Sequence, residues 1–168
     1  MKWRLRLSLS FCIGLLTVVL GAGTTVAAGP PTICTADLII FTTDPGAATT
    51  TGQVTHFRES GVAGWYTSGI LNGYTFSGAQ DIMVNNKTHT SQLQGSYIAT
   101  GPDNNSLTIR YTGHADLLTG IATGHFVTAG GTGAFANFHW EGEIAAHLIS
   151  LTPPTFETTD TGPCHAAP

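Results

Sequence analysis

Positive charge is scarce in this chain. Six Lys and Arg stand against ten Asp and Glu in 168 residues, and three of the six, Lys2, Arg4 and Arg6, lie at the very start. The other three, Arg58, Lys87 and Arg110, are scattered. Phosphate recognition needs clustered cations, so nucleic acid and anionic membrane surfaces are poor partners for it. Cysteine is equally sparse: there are three, and no CxxC pair that would signal a zinc or redox site. HExxH metal spacing, a GxSxG nucleophile elbow and a phosphate loop with its lysine are all missing, which leaves no motif for metal, cofactor or Ser-His-Asp chemistry. Long apolar runs are limited to Phe11–Leu20, shorter than the ~20 residues that cross a bilayer. Apolar residues spaced three and four apart are not sustained anywhere after that run, so a surface helix is not expected.

What the chain does contain begins with a three-part leader. The cations at positions 2 to 6, the apolar run and the small residues Val26-Ala27-Ala28 form the pattern of a secretory signal peptide cut after Ala28. Residues 1–28 are therefore expected to be removed, leaving residues 29–168 as one secreted domain with no membrane insertion. Ten carboxylates against three cations give that domain a charge of −7 with His neutral, which favours solubility. The cut also leaves two cysteines, Cys34 and Cys164, near its ends. In an oxidising compartment they are expected to pair, which brings the two ends together in space.

Glycine and threonine are abundant and charged residues few, a mix suited to short strands and tight turns. Asp37–Thr43, Gln53–Ser60, Trp65–Leu71, Tyr74–Val84, His89–Ala99, Ser106–Ala115, Ile121–Ala129 and Trp140–Leu151 read as strands. Ala47–Gly52 reads as a flexible loop, Asn72-Gly73 as a hairpin turn with both residues at positive φ, and the stretch after Pro153-Pro154 as a polar tail. Leu107, Ile109 and Tyr111 alternate with Thr108, Arg110 and Thr112, so one face is buried and one wet. Trp140, Ile144 and Leu148 likewise share a face, with Glu141, Glu143 and His147 on the other. About eight strands at hairpin spacing fit an antiparallel sandwich or barrel. The barrel is preferred because closure removes exposed edges. The expected fold is thus all-β: a small antiparallel eight-stranded, calycin-like barrel.

One segment carries a resemblance. Gly124-His125-Phe126-Val127-Thr128-Ala129-Gly130-Gly131-Thr132-Gly133-Ala134-Phe135-Ala136 places a Gly-Gly-Thr-Gly turn and a Phe after a strand. It resembles the allene oxide cyclase-like barrels and their dirigent relatives. The resemblance implies an eight-stranded barrel with an interior cavity, and Phe135 as a plug at one end. It covers about a quarter of the chain. A glycine usually follows the plug soon in that family, whereas Asn137–Glu141 intervene here before Gly142. The family's interior polar groups do not map onto this sequence residue by residue, so no catalytic assignment comes with it.

The candidate cavity residues are the aromatics Trp65, Tyr74, Phe76, Tyr97, Tyr111, Phe126, Phe135 and Trp140, which either line or fill the interior. The polar candidates are His125, His139, Glu141 and Glu143, as an acid–base or metal set, and Arg110, as an anchor were the lumen polar. Strand alternation favours a solvated outer face for all of them. Asn86-Lys87-Thr88 and Asn104-Asn105-Ser106 are formal glycosylation sequons in turns. The leading functional expectation is a non-catalytic secreted barrel that binds a small apolar ligand or a partner. The alternatives are a cyclase or isomerase, which requires a buried polar residue facing a cavity, and a structural cell-surface protein.

Overall fold

A computed structural model describes residues 32–166. The proposed leader lies outside the described residues. The chain forms nine strands: β1 (Thr32–Asp44), β2 (Ala47–Thr51), β3 (Val54–Tyr66), β4 (Thr75–Asn85), β5 (Thr90–Thr100), β6 (Ser106–Asp116), β7 (Ile121–Gly131), β8 (Phe138–Leu151) and β9 (Pro154–Ala166). Strands β3 to β9 pair antiparallel in sequence order. β9 then pairs with the first part of β1, and the second part of β1 pairs with β3. This closes an eight-stranded barrel, with β2 as an extra strand on β3. Among the described residues no helix is long and apolar enough to cross a membrane.

Four expectations change. Gln53–Ser60 and the start of Trp65–Leu71 belong to one strand, β3, because Gly61 and Gly64 stay extended and paired opposite β1 and β4. Gly69–Leu71 is a 3-10 turn. Ala47–Thr51 is strand β2 rather than a loop: Gly46 and Gly52, both at positive φ, turn the chain at its two ends, and its backbone pairs with Val54–Arg58. Asn72-Gly73 does turn the chain, but only Gly73 has positive φ. Asn72 sits at φ −51° and ψ 128°, and Tyr74 N–H donates to the Leu71 carbonyl at 2.9 Å, the geometry of a type II turn. Finally, the polar tail is β9, the strand that completes the barrel between β8 and β1.

The two barrel ends differ. At one end Cys34 and Cys164 are disulfide-bonded, 130 residues apart in sequence. The interior there is filled by Phe76, Leu107, Phe126 and Trp140, with Phe126 and Trp140 edge to face at 4.6 Å. Two 3-10 turns, Gly69–Leu71 and Gly133–Phe135, cap this end. Phe135 packs edge to face with Tyr74 at 5.9 Å and with Phe138 at 5.3 Å, so an aromatic stopper seals it. Register shifts between Phe57 and Ser60, Thr108 and Ile109, and Leu148 and Ser150 interrupt the ladders. Such bulges bend strands and help a sheet curl shut.

Candidate functional site

Away from the stopper the barrel is not filled. A cavity of about 430 Å³ runs from the middle of the lumen to the opposite end. Its wall is aliphatic and aromatic: Ile40, Phe57, Ile82, Leu93, Leu148 and Phe156 come from β1, β3, β4, β5, β8 and β9. The space exists because small residues hold inward positions at this end. Ala115 on β6, Ala122 on β7 and Ala146 on β8 stand where the stoppered end carries Phe126 and Trp140.

The floor of the cavity is polar. Alternation on β9 sends Phe156, Thr158, Asp160, Gly162 and Cys164 inward, since Thr158, Asp160, Gly162 and Cys164 are buried between exposed or half-exposed neighbours. Asp160 is 1 % exposed. Its Oδ1 and the Oγ1 of Thr158 have no hydrogen-bond partner among the described residues, and both residues line the cavity. Burial, then the charge of Asp37 across the wall, pushes the Asp160 carboxyl up to about 7, and the Tyr97 hydroxyl pulls it partly back as a hydrogen-bond donor. Tyr97 Oη is 2.8 Å from Tyr66 Oη. Both phenols are raised well above their ordinary value, chiefly by burial. Tyr111 lies along the wall over Gly95 and donates to Gln80 Oε1 at 3.0 Å. Asp37 points outward, where Ser68 Oγ and Thr159 Oγ1 donate to it at 2.6 and 2.7 Å and hold its carboxyl below the usual range. Two carboxylates a wall apart are thereby driven in opposite directions: Asp37 is ionised at neutral pH, while Asp160 titrates there.

The sequence-derived candidates divide by position. Tyr97 and Tyr111 line the cavity. Phe76, Phe126 and Trp140 fill the stoppered half, and Tyr74 and Phe135 cap it. Trp65 is the aromatic on the wrong face. It is 47 % exposed and packs outside against Phe41 at 6.1 Å, because its neighbour Tyr66 takes the inward position. The polar candidates are all on the outer wall. His125 Nδ1 and Glu143 Oε1 form an exposed pair at 3.2 Å, His139 stacks on His165 at 5.2 Å, and Glu141 is exposed opposite Val127. Arg110 borders a shallow, solvent-open groove over Gly95. The outer wall therefore does not gather the His–Glu set with Arg110. Among the described residues no three His, Cys, Asp or Glu are grouped to hold a metal. Sequence reasoning passed over Asp160 and Thr158. Periodicity does not reveal them, because Phe156, Thr158, Asp160 and Gly162 alternate with Thr155, Glu157, Thr159 and Thr161 and the two faces are alike in polarity.

No family model, curated protein or solved structure matches the chain.

Proposed function

We propose that this chain is a secreted carrier barrel, of the allene oxide cyclase-like type, that holds a small apolar molecule in its lumen. The observation that carries this reading is the half-filled barrel: a stopper at one end and a cavity of about 430 Å³ with apolar walls at the other. That volume lies within the span of small-molecule sites, and a few polar groups converging at an apolar pocket is their usual composition. Secretion, with residues 1–28 as a cleaved leader, belongs to the same proposal and draws support from the Cys34–Cys164 bridge, since such pairs persist in oxidising compartments. The test is binding of Nile red followed by fluorescence. The parent protein is expected to bind it, and Ala146→Trp, which fills the lumen, is expected to weaken binding by about tenfold or more, equivalent to about 1.4 kcal/mol. Absence of binding by a folded parent overturns the carrier reading.

A second reading, a cyclase or isomerase, gains support from Asp160. A buried carboxyl that titrates near neutral pH and faces a cavity suits general acid–base work on a bound substrate. Turnover of an apolar substrate that follows one ionisation near pH 7 and is lost in Asp160→Asn would favour it over simple carriage.

A further inference from the structure

The polar floor of the lumen carries one sign of charge. Among the described residues Asp160 is the one carboxylate lining the cavity, and no Lys, Arg or His lines it. Its Oδ1 has no partner among the described residues, and neither does the hydroxyl of Thr158, two residues along the same face of β9, where the two Cα atoms are about 7 Å apart by strand geometry and both side chains face the cavity. An ionised carboxyl in such a place is held at a cost that a countercharge would remove. The walls between this floor and the mouth are mostly apolar, with Ser60 and Ser91 the buried hydroxyls among them, so a molecule that reaches Asp160 must bury an apolar body behind its polar head. A carboxylate head would meet a like charge there. A neutral hydroxyl would answer one hydrogen bond and leave the charge uncompensated. An ammonium group answers both, donating to Asp160 and to Thr158 Oγ1 while supplying the missing charge.

We propose that the lumen selects apolar amines, taken up head first so that the protonated nitrogen pairs with Asp160 and Thr158. This rests on the carrier reading and narrows it from apolar molecules in general to cationic ones. The net charge of −7 on the described residues, with His neutral, favours the approach of such ligands over fatty acids.

The pH dependence follows from the surroundings. The titratable groups about Asp160 are Asp37 on the outer side of β1, Tyr66 on β3, Tyr97 on β5 and Tyr111 on β6, and its partner on β8 is Ile144. The tyrosines are raised above their ordinary value and stay neutral, and Asp37 stays ionised. Between pH 5.5 and pH 8, Asp160 is therefore the group in the lumen that changes charge.

The experiment displaces Nile red from the full protein with decylamine, decanol and decanoate, one chain length with three heads. At pH 8 decylamine is expected to displace the dye at a concentration about tenfold or more below that of decanol, with decanoate weakest. At pH 5.5 the amine is expected to lose its advantage, and in Asp160→Asn the amine and the alcohol are expected to become equal at both pH values. Equal displacement by amine and alcohol at pH 8 in the parent overturns the amine proposal while leaving the carrier reading intact. So does an amine preference that survives either acidification or Asp160→Asn. The pH comparison on the parent stands independently of whether the variant folds. A parent that binds neither the dye nor any of the three chains overturns the carrier reading itself.

Discussion

Asp160 is the residue on which charge and stability meet. The folded chain holds its proton up to about pH 7, whereas an unburied aspartate releases it near 3.8. Between those values the native state binds more protons than the unfolded one, so the stability contribution of this group is present below about pH 4 and is lost as pH rises through 7. Three units at about 1.4 kcal/mol each make the loss on the order of 4 kcal/mol. Asp160→Asn keeps the shape and removes the titration. Relative to the parent, the variant is expected to gain stability progressively from pH 4 to pH 8 in urea denaturation. A stability difference that stays constant across that range would show that Asp160 does not titrate in the lumen. Asp37 works in the opposite direction, because its lowered value stabilises above the ordinary carboxyl range and is lost in acid. The comparison of variant with parent cancels that contribution. Tyr66 and Tyr97, hydroxyl to hydroxyl in the interior, remain neutral throughout.

At the scale of elements, β9 is the strand that matters most and the one least visible in the sequence. Strands β6 and β8 announce themselves because their inward residues are apolar and their outward ones polar, as in Leu107, Ile109 and Tyr111 or Trp140, Ile144 and Leu148. On β9 the inward set includes Thr158, Asp160 and Gly162, so the contrast between faces that periodicity detects is missing, and the strand holds two prolines, Pro154 and Pro163. Both prolines fall where the pairing tolerates them: Pro154 begins the strand, and Pro163 stands opposite Ile33 and is exposed. The same lack of contrast hid β2, whose five residues are two alanines and three threonines. The candidate site suffered in the same way. Aromatic side chains point to bulk, and bulk gathers at the stoppered end, whereas the cavity depends on alanines opposite aliphatic residues and on one acid in a threonine-rich run. The β8–β9 seam offers a direct test. Gly142 and Gly162 meet there so closely that a Cβ on Gly162 would lie 2.7 Å from the Gly142 Cα. Backbone cannot yield as a side chain does, so Gly162→Ala is expected to destabilise by about 3 kcal/mol or more, read as a lowered urea midpoint. A midpoint unchanged within about 0.5 kcal/mol would mean that the seam is looser than described.

For the whole molecule, the bond between Cys34 and Cys164 closes a loop of 130 residues and fastens β1 to β9 beside the stopper. Loop-closure entropy assigns such a link an upper value of about 4–5 kcal/mol. Cys34→Ser with Cys164→Ser is expected to lower unfolding stability by about 2–5 kcal/mol. Reduction of the parent is expected to reproduce that loss, and circular dichroism should keep its β-sheet form where both remain folded. Equal urea midpoints for the oxidised and reduced parent would deny the bridge any part in stability. The crosslink acts at the filled end, so the lumen wall at the other end is held by strand pairing and side-chain packing alone.

Thr32 at the start of β1 and Ala166 at the end of β9 both lie on the stoppered side, opposite the mouth. A label or a solid support joined at either of these two residues would stand behind the cup and leave its opening facing the solvent, so the molecule can be tethered from two directions without obstructing what it is proposed to carry.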